Sequence, residues 1–262
     1  MFVERAVSLN HPSPTPPVLG SSWSDMAAAE LPSRLAAPPR QQRGRERQRA
    51  LIKAGLSLTA ERNWADVTIA DIAAAIGCSI GTFYTRFHTK DAYFDALLEL
   101  VVEAMLRHTE EFHAAPERSS ESADAFVVHW VRLAVHSFRV HRGLYAAAML
   151  DQRRMSEAAR AASPLTRLRE RSRELLLAAM ARRPGWRSQA ARARLVAAHQ
   201  LLQGVLINAV LTDPGPLFLD DAALETELVR MLCAYLELGV AKPAAAPRSP
   251  RKKAISLKGD KP

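Results

Sequence analysis

Twenty residues, 68–87, limit what this chain can become more than any other part of it. The run TIADIAAAIGCSIGTFYTRF places two helix starts eleven residues apart with a glycine between them. Thr68 is a capping residue with Asp71 three positions on to reach back, and Ile69, Ile72, Ala73 and Ile76 repeat at the helical i, i+3, i+4, i+7 spacing. Gly77 supplies a stop, because glycine accepts the left-handed conformation of a helix end. Ser79 caps a second helix that has only Phe83 and Phe87, one turn apart, to spend on a core. Two short helices joined this tightly form a helix-turn-helix. In a plain helical hairpin both helices would turn apolar residues toward each other. Here Ile80, Gly81, Thr82, Tyr84, Thr85 and Arg86 are small or can hydrogen-bond. Gly81 costs helix propensity but lets a backbone come close to a neighbour, which suits a helix pressed into a major groove. The capped starts at Thr68 and Ser79 offer amide groups that favour phosphate oxygens. The spacing therefore predicts contact with nucleic acid.

The rest of the chain reads as helical too. Only 11 of its 262 residues are glycine, and few stretches alternate apolar and polar residues, so the expected class is all-α. A first helix over 45–62 turns Leu51, Ala54, Gly55 and Leu58 inward and stops near Asn63, with Trp64 packed beneath the turn. A helix opened by Thr89 carries Tyr93, Phe94, Leu97, Leu98, Val101 and Met105. Beyond a polar break at 116–122, five helical stretches are expected at 123–141, 144–162, 164–183, 188–211 and 221–240. Ser163 with Pro164 is a helix-start signature, and Pro184-Gly185 and Pro214-Gly215-Pro216 mark joints. The proline-rich stretch 1–39 cannot bury enough surface to order itself, and Met26 within it is a second candidate start; the tail 242–262 is basic and equally unfit for a core. This gives four parts: the extension 1–39, a basic arm with the helix-turn-helix over 40–92, a helical domain over 93–241, and the tail 242–262.

Charge supports the same division. The net charge of +9 is concentrated in the arginine run of 40–49, which includes Arg43, Arg45 and Arg47 and has only Glu46 opposing it, and in the tail. The body between them is close to neutral. Cys78 and Cys233, far apart on helical segments, give no disulfide framework, and a reducing compartment fits. No apolar run is expected to approach the roughly 18 residues that cross a bilayer, so a membrane partner is not expected and a cytoplasmic location is.

From Leu51 to Leu98 the chain resembles the TetR family of bacterial transcriptional regulators almost position by position, most specifically in the run GCSIGTFY at 77–84 and in FHTKD at 87–91. The resemblance implies an N-terminal three-helix DNA-binding domain and a helical C-terminal domain for ligand binding and dimerisation. It also implies a homodimer on palindromic double-stranded operator DNA, with a small-molecule effector that releases it. Carried onto this chain, Ser79, Gly81, Thr82, Tyr84 and Thr85 would face bases and phosphates, Thr68 would cap onto the backbone, and Lys90 would neutralise a phosphate. The chain departs from the family at Ile80, where lysine is usual, and at Thr85, Thr59 and Asn63. Ile80 can instead touch a thymine methyl.

Past Met105 the likeness is only architectural. Leu195, Ala198, Leu202, Val205 and Ala209, and then Leu224, Leu228, Met231 and Tyr235, follow helix-bundle seam spacing, and are read as a dimer interface with a monomeric core as the alternative. On 123–141 an apolar face with Trp130 lies beside a polar stripe of His129, Arg132, His136 and Arg139, read either as a solvated face or as the lining of a pocket for an anionic or polar effector. Tyr145 and Met149 on the next helix join Trp130, His129 and His136 as effector candidates. A shared metal on His129 and His136 is excluded by seven residues of helical rise, about 10 Å. No cofactor and no enzymatic activity are expected, since no GxSxG, P-loop, HExxH or CxxC motif occurs. A basic scaffold or nucleoid-type DNA-binding protein without an effector is the rival reading.

Overall fold

The computed structural model describes residues 42–238. Among them there is helix and no strand. The elements are α1 (Gln42–Glu61), a 3-10 turn (Trp64–Asp66), α2 (Ile69–Ala75), α3 (Ile80–Tyr84), α4 (Lys90–Ala114), α5 (Pro116–Ser120), α6 (Ala123–Val140), α7 (Arg142–Gln152), α8 (Glu157–Ala161), α9 (Pro164–Met180), α10 (Gln189–Leu211) and α11 (Ala222–Tyr235). The extension 1–39, Arg40 and the tail 242–262 lie outside the described residues.

The helix starts follow local chemistry. Thr68 Oγ1 accepts from the Asp71 amide at 3.1 Å while Asp71 Oδ2 accepts from the Thr68 amide at 2.8 Å, so the reciprocal cap is present; these bonds hold the Asp71 carboxyl below its ordinary pKa. Gly77 ends α2 at φ +64°, and Ser79, Thr89, Ser163 and Ser188 cap α3, α4, α9 and α10 through their hydroxyls.

Three helices and the first turns of α4 close over one aromatic knot. Phe83, Phe87 and Tyr93 are fully buried, with Tyr93 edge-on to Phe87 at 4.8 Å and to Phe83 at 5.2 Å. The Tyr93 hydroxyl donates to Leu51 O at 2.5 Å and lies over Gly55, where a Cβ would sit 2.7 Å from Leu97 Cδ1 and 2.8 Å from Tyr93 Cζ. Gly55 is thus a packing residue of α1, which needs a bare backbone to let α4 in.

From this knot α4 runs on as the spine of the second domain, with α9 packed along it, α11 on α6, and α10 against α6, α7, α9 and α11. The domains also meet away from α4, where α1 touches α7. At that point Gly143 lies against the carbonyls of Thr59 and Arg62. Three expectations are corrected. The stretch 144–162 is two helices, broken at 153–156, where Ser156 starts α8 and Arg160 Nε donates back to Gln152 O at 3.2 Å. The polar break 116–122 contains α5. Finally, α10 is long and apolar enough to cross a membrane by length and composition, with a mean hydropathy of 1.3, contrary to the expectation that no run is. It packs Leu195, Leu202 and Leu206 into the domain core, carries Arg192, Arg194 and His199, and pairs Arg194 with Glu237 at 2.7 Å. Only 33% of its apolar stretch is buried, however, which leaves an apolar face open.

Candidate nucleic-acid interface and ligand cavity

Helix α3 turns Phe83 into the knot and its other positions outward. Ser79, Ile80, Gly81, Tyr84 and Thr85 are exposed, Ile80 at 47% and Tyr84 at 49%, and Thr82 and Arg86 are partly so. Ser79 Oγ is spent on the Thr82 amide at 3.3 Å, and the Thr85 hydroxyl donates to Thr82 O at 2.7 Å, which fixes both side chains on the outer face. A Cβ on Gly81 would meet nothing closer than Ser79 Oγ at 3.7 Å. The subunit itself therefore has no need of a glycine there. Large apolar side chains standing in water one turn apart, beside hydroxyls and a bare backbone, make a surface shaped for something outside the chain.

Arg43, Arg45 and Arg47 are exposed too, but on a helix: α1 begins at Gln42, three residues before the expected start, so within the described residues the arm is helical. No acidic residue stands in its first turn, and cations there run against the helix dipole. These arginines thus cost α1 some stability, and the positive end they make favours an anion. Thr68 is exposed at its cap. For Lys90 the resemblance implied a phosphate contact, and within the single chain its side chain has a further role. Its ammonium donates to Trp64 O at 2.9 Å and sits 4.7 Å above the Trp64 ring, tying the first turn of α4 to the 3-10 turn before α2.

The second domain holds a cavity of about 70 Å³ between α4, α6, α7, α9 and α10. Of the five effector candidates, Trp130, Tyr145 and Met149 line it, and His129 and His136 do not. The polar stripe of α6 has other work. His129 Nδ1 sits 3.2 Å from Glu121 Oε1 and 2.8 Å from Arg118 NH1; Arg132 binds Glu225 at 2.9 Å; Arg139 donates to Leu219 O and Asp221 O at 2.7 and 2.8 Å. Arg132 and Arg139 thus anchor the start of α11. Sequence reasoning missed His113, His199 and Arg169, which line the cavity from α4, α10 and α9. Among the described residues no group of His, Cys, Asp and Glu could hold a metal ion.

The seam residues divide as well. Leu195, Leu202, Ala209, Leu224 and Leu228 are buried within the single chain and fill its own core. Val205 is half-buried, and Met231 and Tyr235 are 39% and 41% exposed. With Leu201 and Gly204, these three mark the open face of α10 and α11.

Residues 51–97 match the family model described as bacterial regulatory proteins, tetR family. Among curated proteins none matches the chain. Several solved structures share its fold. A tetR-family transcriptional regulator from Streptomyces coelicolor is 19% identical with a TM-score of 0.56, the match covering 72% of this chain and 80% of that one. A candidate TetR-family regulator from Mesorhizobium loti is 15% identical at 0.59, over 75% and 98%. The TetR-family regulator PfmR from Thermus thermophilus is 15% identical at 0.51, over 72% and 97%. The likeness to the tetR family of bacterial regulatory proteins is thus carried by residues 51–97, the segment that holds the helix-turn-helix.

Proposed function

We propose that the protein is a transcriptional repressor acting in the cytoplasm, which binds palindromic operator DNA as a homodimer and is released by a small-molecule effector in the cavity of its second domain. The observation that carries this reading is the outer face of α3, where Ile80, Gly81 and Tyr84 are left unspent by the fold and Thr85 stands exposed beside them. Thr85 and Tyr84 offer hydroxyls to base edges, Ile80 an apolar contact for a thymine methyl, and Gly81 the clearance for close approach. Arg43, Arg45, Arg47 and Arg86 add phosphate contacts that give affinity without sequence preference.

Dimerisation is supported by the open face of α10 and α11. Leu201, Met231 and Tyr235 stand in water there, and a Cβ added at Gly204 would meet nothing within 4 Å. A second copy related by a two-fold axis would cover the same face on both chains. The two α3 helices would then lie about 34–36 Å apart, one turn of DNA.

Selection of duplexes from a random pool, followed by footprinting, tests the reading. Two inverted half-sites about one turn apart are expected. The rival reading, a nucleoid-type protein with no effector, would give protection without a motif. Release by an effector carries a thermodynamic demand: operator DNA must weaken effector binding by the same factor by which the effector weakens DNA binding.

A further inference from the structure

The cavity is apolar in its walls, and three of the polar side chains that line it, two histidines and an arginine, have polar atoms without a hydrogen-bond partner. Met105, Phe138, Met149 and Leu168 are among its walls, and Trp130 stacks on His199 with ring centroids 6.2 Å apart and planes 19° from parallel. Some of its polar groups are already spent. The Thr109 hydroxyl donates to Met105 O at 2.7 Å, and the Ser137 and Tyr145 hydroxyls pair at 3.1 Å. The two histidines are not. His113 and His199 are each 3% exposed, and both ring nitrogens of His113 and Nε2 of His199 have no hydrogen-bond partner. Buried groups left so are costly, and they persist where something else supplies the partner. Burial and the nearby Arg182 and Arg183 push His113 down to about 4, and burial with Arg173 and Arg169 does the same to His199, so both rings are neutral at pH 7.

The third of these side chains is Arg169. This half-buried residue lines the cavity from α9, near enough to His199 to act on its charge, and among the described residues it makes no ion pair and no side-chain hydrogen bond. A fixed cation at the edge of an apolar chamber, beside a neutral ring that can donate or accept, is a one-charge receptor. A planar carboxylate matches it, since a guanidinium binds both carboxylate oxygens at once. Arg169 is the one arginine in the cavity lining, with Arg173 outside it but near enough to act on His199, so a monoanion balances the charge of the lining better than the nearly two charges of a phosphate. A primary amine would meet only repulsion.

We propose that the cavity takes a small amphipathic carboxylic acid, its carboxylate on Arg169 beside His199 and its apolar body against Trp130 and Phe138. This rests on the reading of the cavity as an effector site and names the chemistry of the effector. At about 70 Å³ the chamber is well below the roughly 300–1,000 Å³ of most ligand pockets, so the acid is a compact one, or its body displaces the flexible Met105 and Met149 on entry.

The test uses the full chain and three probes that differ only in the head group: 4-fluorophenylacetate, 2-(4-fluorophenyl)ethanol and 4-fluorophenethylamine, titrated by fluorine NMR. The acid is expected to bind at least tenfold more tightly than the alcohol, and the amine more weakly than either. Arg169→Leu is expected to bring the acid to the level of the alcohol while leaving alcohol binding within twofold, with the melting temperature checked in parallel. Trp130→Ala is expected to weaken acid and alcohol together. An alcohol that binds as well as the acid would overturn the proposal. So would an acid preference that survives Arg169→Leu, or a failure of all three probes to bind. Operator affinity is measured separately with the acid at saturation. Unchanged affinity there removes effector release but leaves the ligand class standing, whereas release by a compound without an anionic group removes the ligand class alone.

Discussion

Gly143→Ala probes a point where the two domains touch backbone to backbone. A Cβ at Gly143 would overlap the Thr59 carbonyl oxygen outright, and would sit 3.0 Å from Thr59 C and 3.2 Å from Arg62 O. None of these atoms belongs to a side chain that could swing away. The end of α1 and the start of α7 must therefore separate by more than about 1 Å to recover van der Waals distance. Overpacking of this kind costs about 1–3 kcal/mol, and the better helix propensity of alanine in α7 returns at most about 1 kcal/mol. Because the overlap is with a backbone carbonyl that cannot swing aside, the cost lies at the upper end of that range, and a net loss of about 2 kcal/mol corresponds to a melting temperature lower by about 4–8 °C for a chain of this size. Because α1 carries the recognition unit and α7 lines the cavity, the same shift should lower operator affinity more than stability alone explains. Thermal melting, with fluorescence anisotropy on a selected operator at a temperature where both proteins are folded, measures the two effects. If Gly143→Ala melts at or above the parent temperature, the close approach does not exist in solution, and the argument for a locked domain contact fails with it.

Other substitutions and conditions test separate parts of the structure. Gly204→Glu places a charge where the lone chain has open space, so it should leave folding intact and convert the proposed dimer to monomer in sedimentation; a persisting dimer would place the interface elsewhere. Replacing Arg43, Arg45 and Arg47 together with alanine should weaken all DNA sequences alike and flatten the salt dependence by about 0.9 in slope for each phosphate no longer neutralised, and an unchanged slope would make these arginines bystanders. His113 and His199 are held neutral in the fold at about 4 and take up protons near 6.5 once the chain unfolds. Their contribution is therefore constant above pH 6.5 and is lost as pH falls toward 4, at up to about 1.4 kcal/mol per pH unit for each ring. Urea unfolding across that range should show the slope, and His113→Phe or His199→Leu should flatten it.

The parts of this molecule that are legible in its sequence are those whose causes are local. The Thr68 and Asp71 cap, the left-handed Gly77 and the Ser79 start each need only residues within four positions, so residue type and spacing suffice to place them. Lys90 was not readable, because the carbonyls of Trp64 and Ala65 that hold it come from 26 and 25 residues upstream. The α6 stripe failed as a ligand lining for the same reason: Glu225, the partner of Arg132, is 93 residues away. Seam spacing carried a different ambiguity. Leu195, Leu202 and Leu228 repeat as an interface would, but periodicity states only that a face is buried, and both a subunit's own core and a second copy can bury it. What separates them is exposure, at Leu201, Met231 and Tyr235.

The cavity and the recognition unit are connected twice, and the second connection is the shorter. Helix α4 joins the domains covalently, holding the knot through Tyr93 and reaching the cavity at Met105, twelve residues or about 18 Å of helical rise further on. Helix α7 presses Gly143 on the end of α1 and presents Tyr145 and Met149 to the cavity within six residues, or about 9 Å. An acid that must push aside Met149 to enter therefore acts on a helix whose first turn is already in backbone contact with the DNA-binding domain. Close-packed backbone transmits such a displacement because it has no side chain to absorb it. If the proposed acid binds in the cavity, the contact at Gly143 is the shorter route by which its entry would reach the recognition unit, and α4 is the longer one.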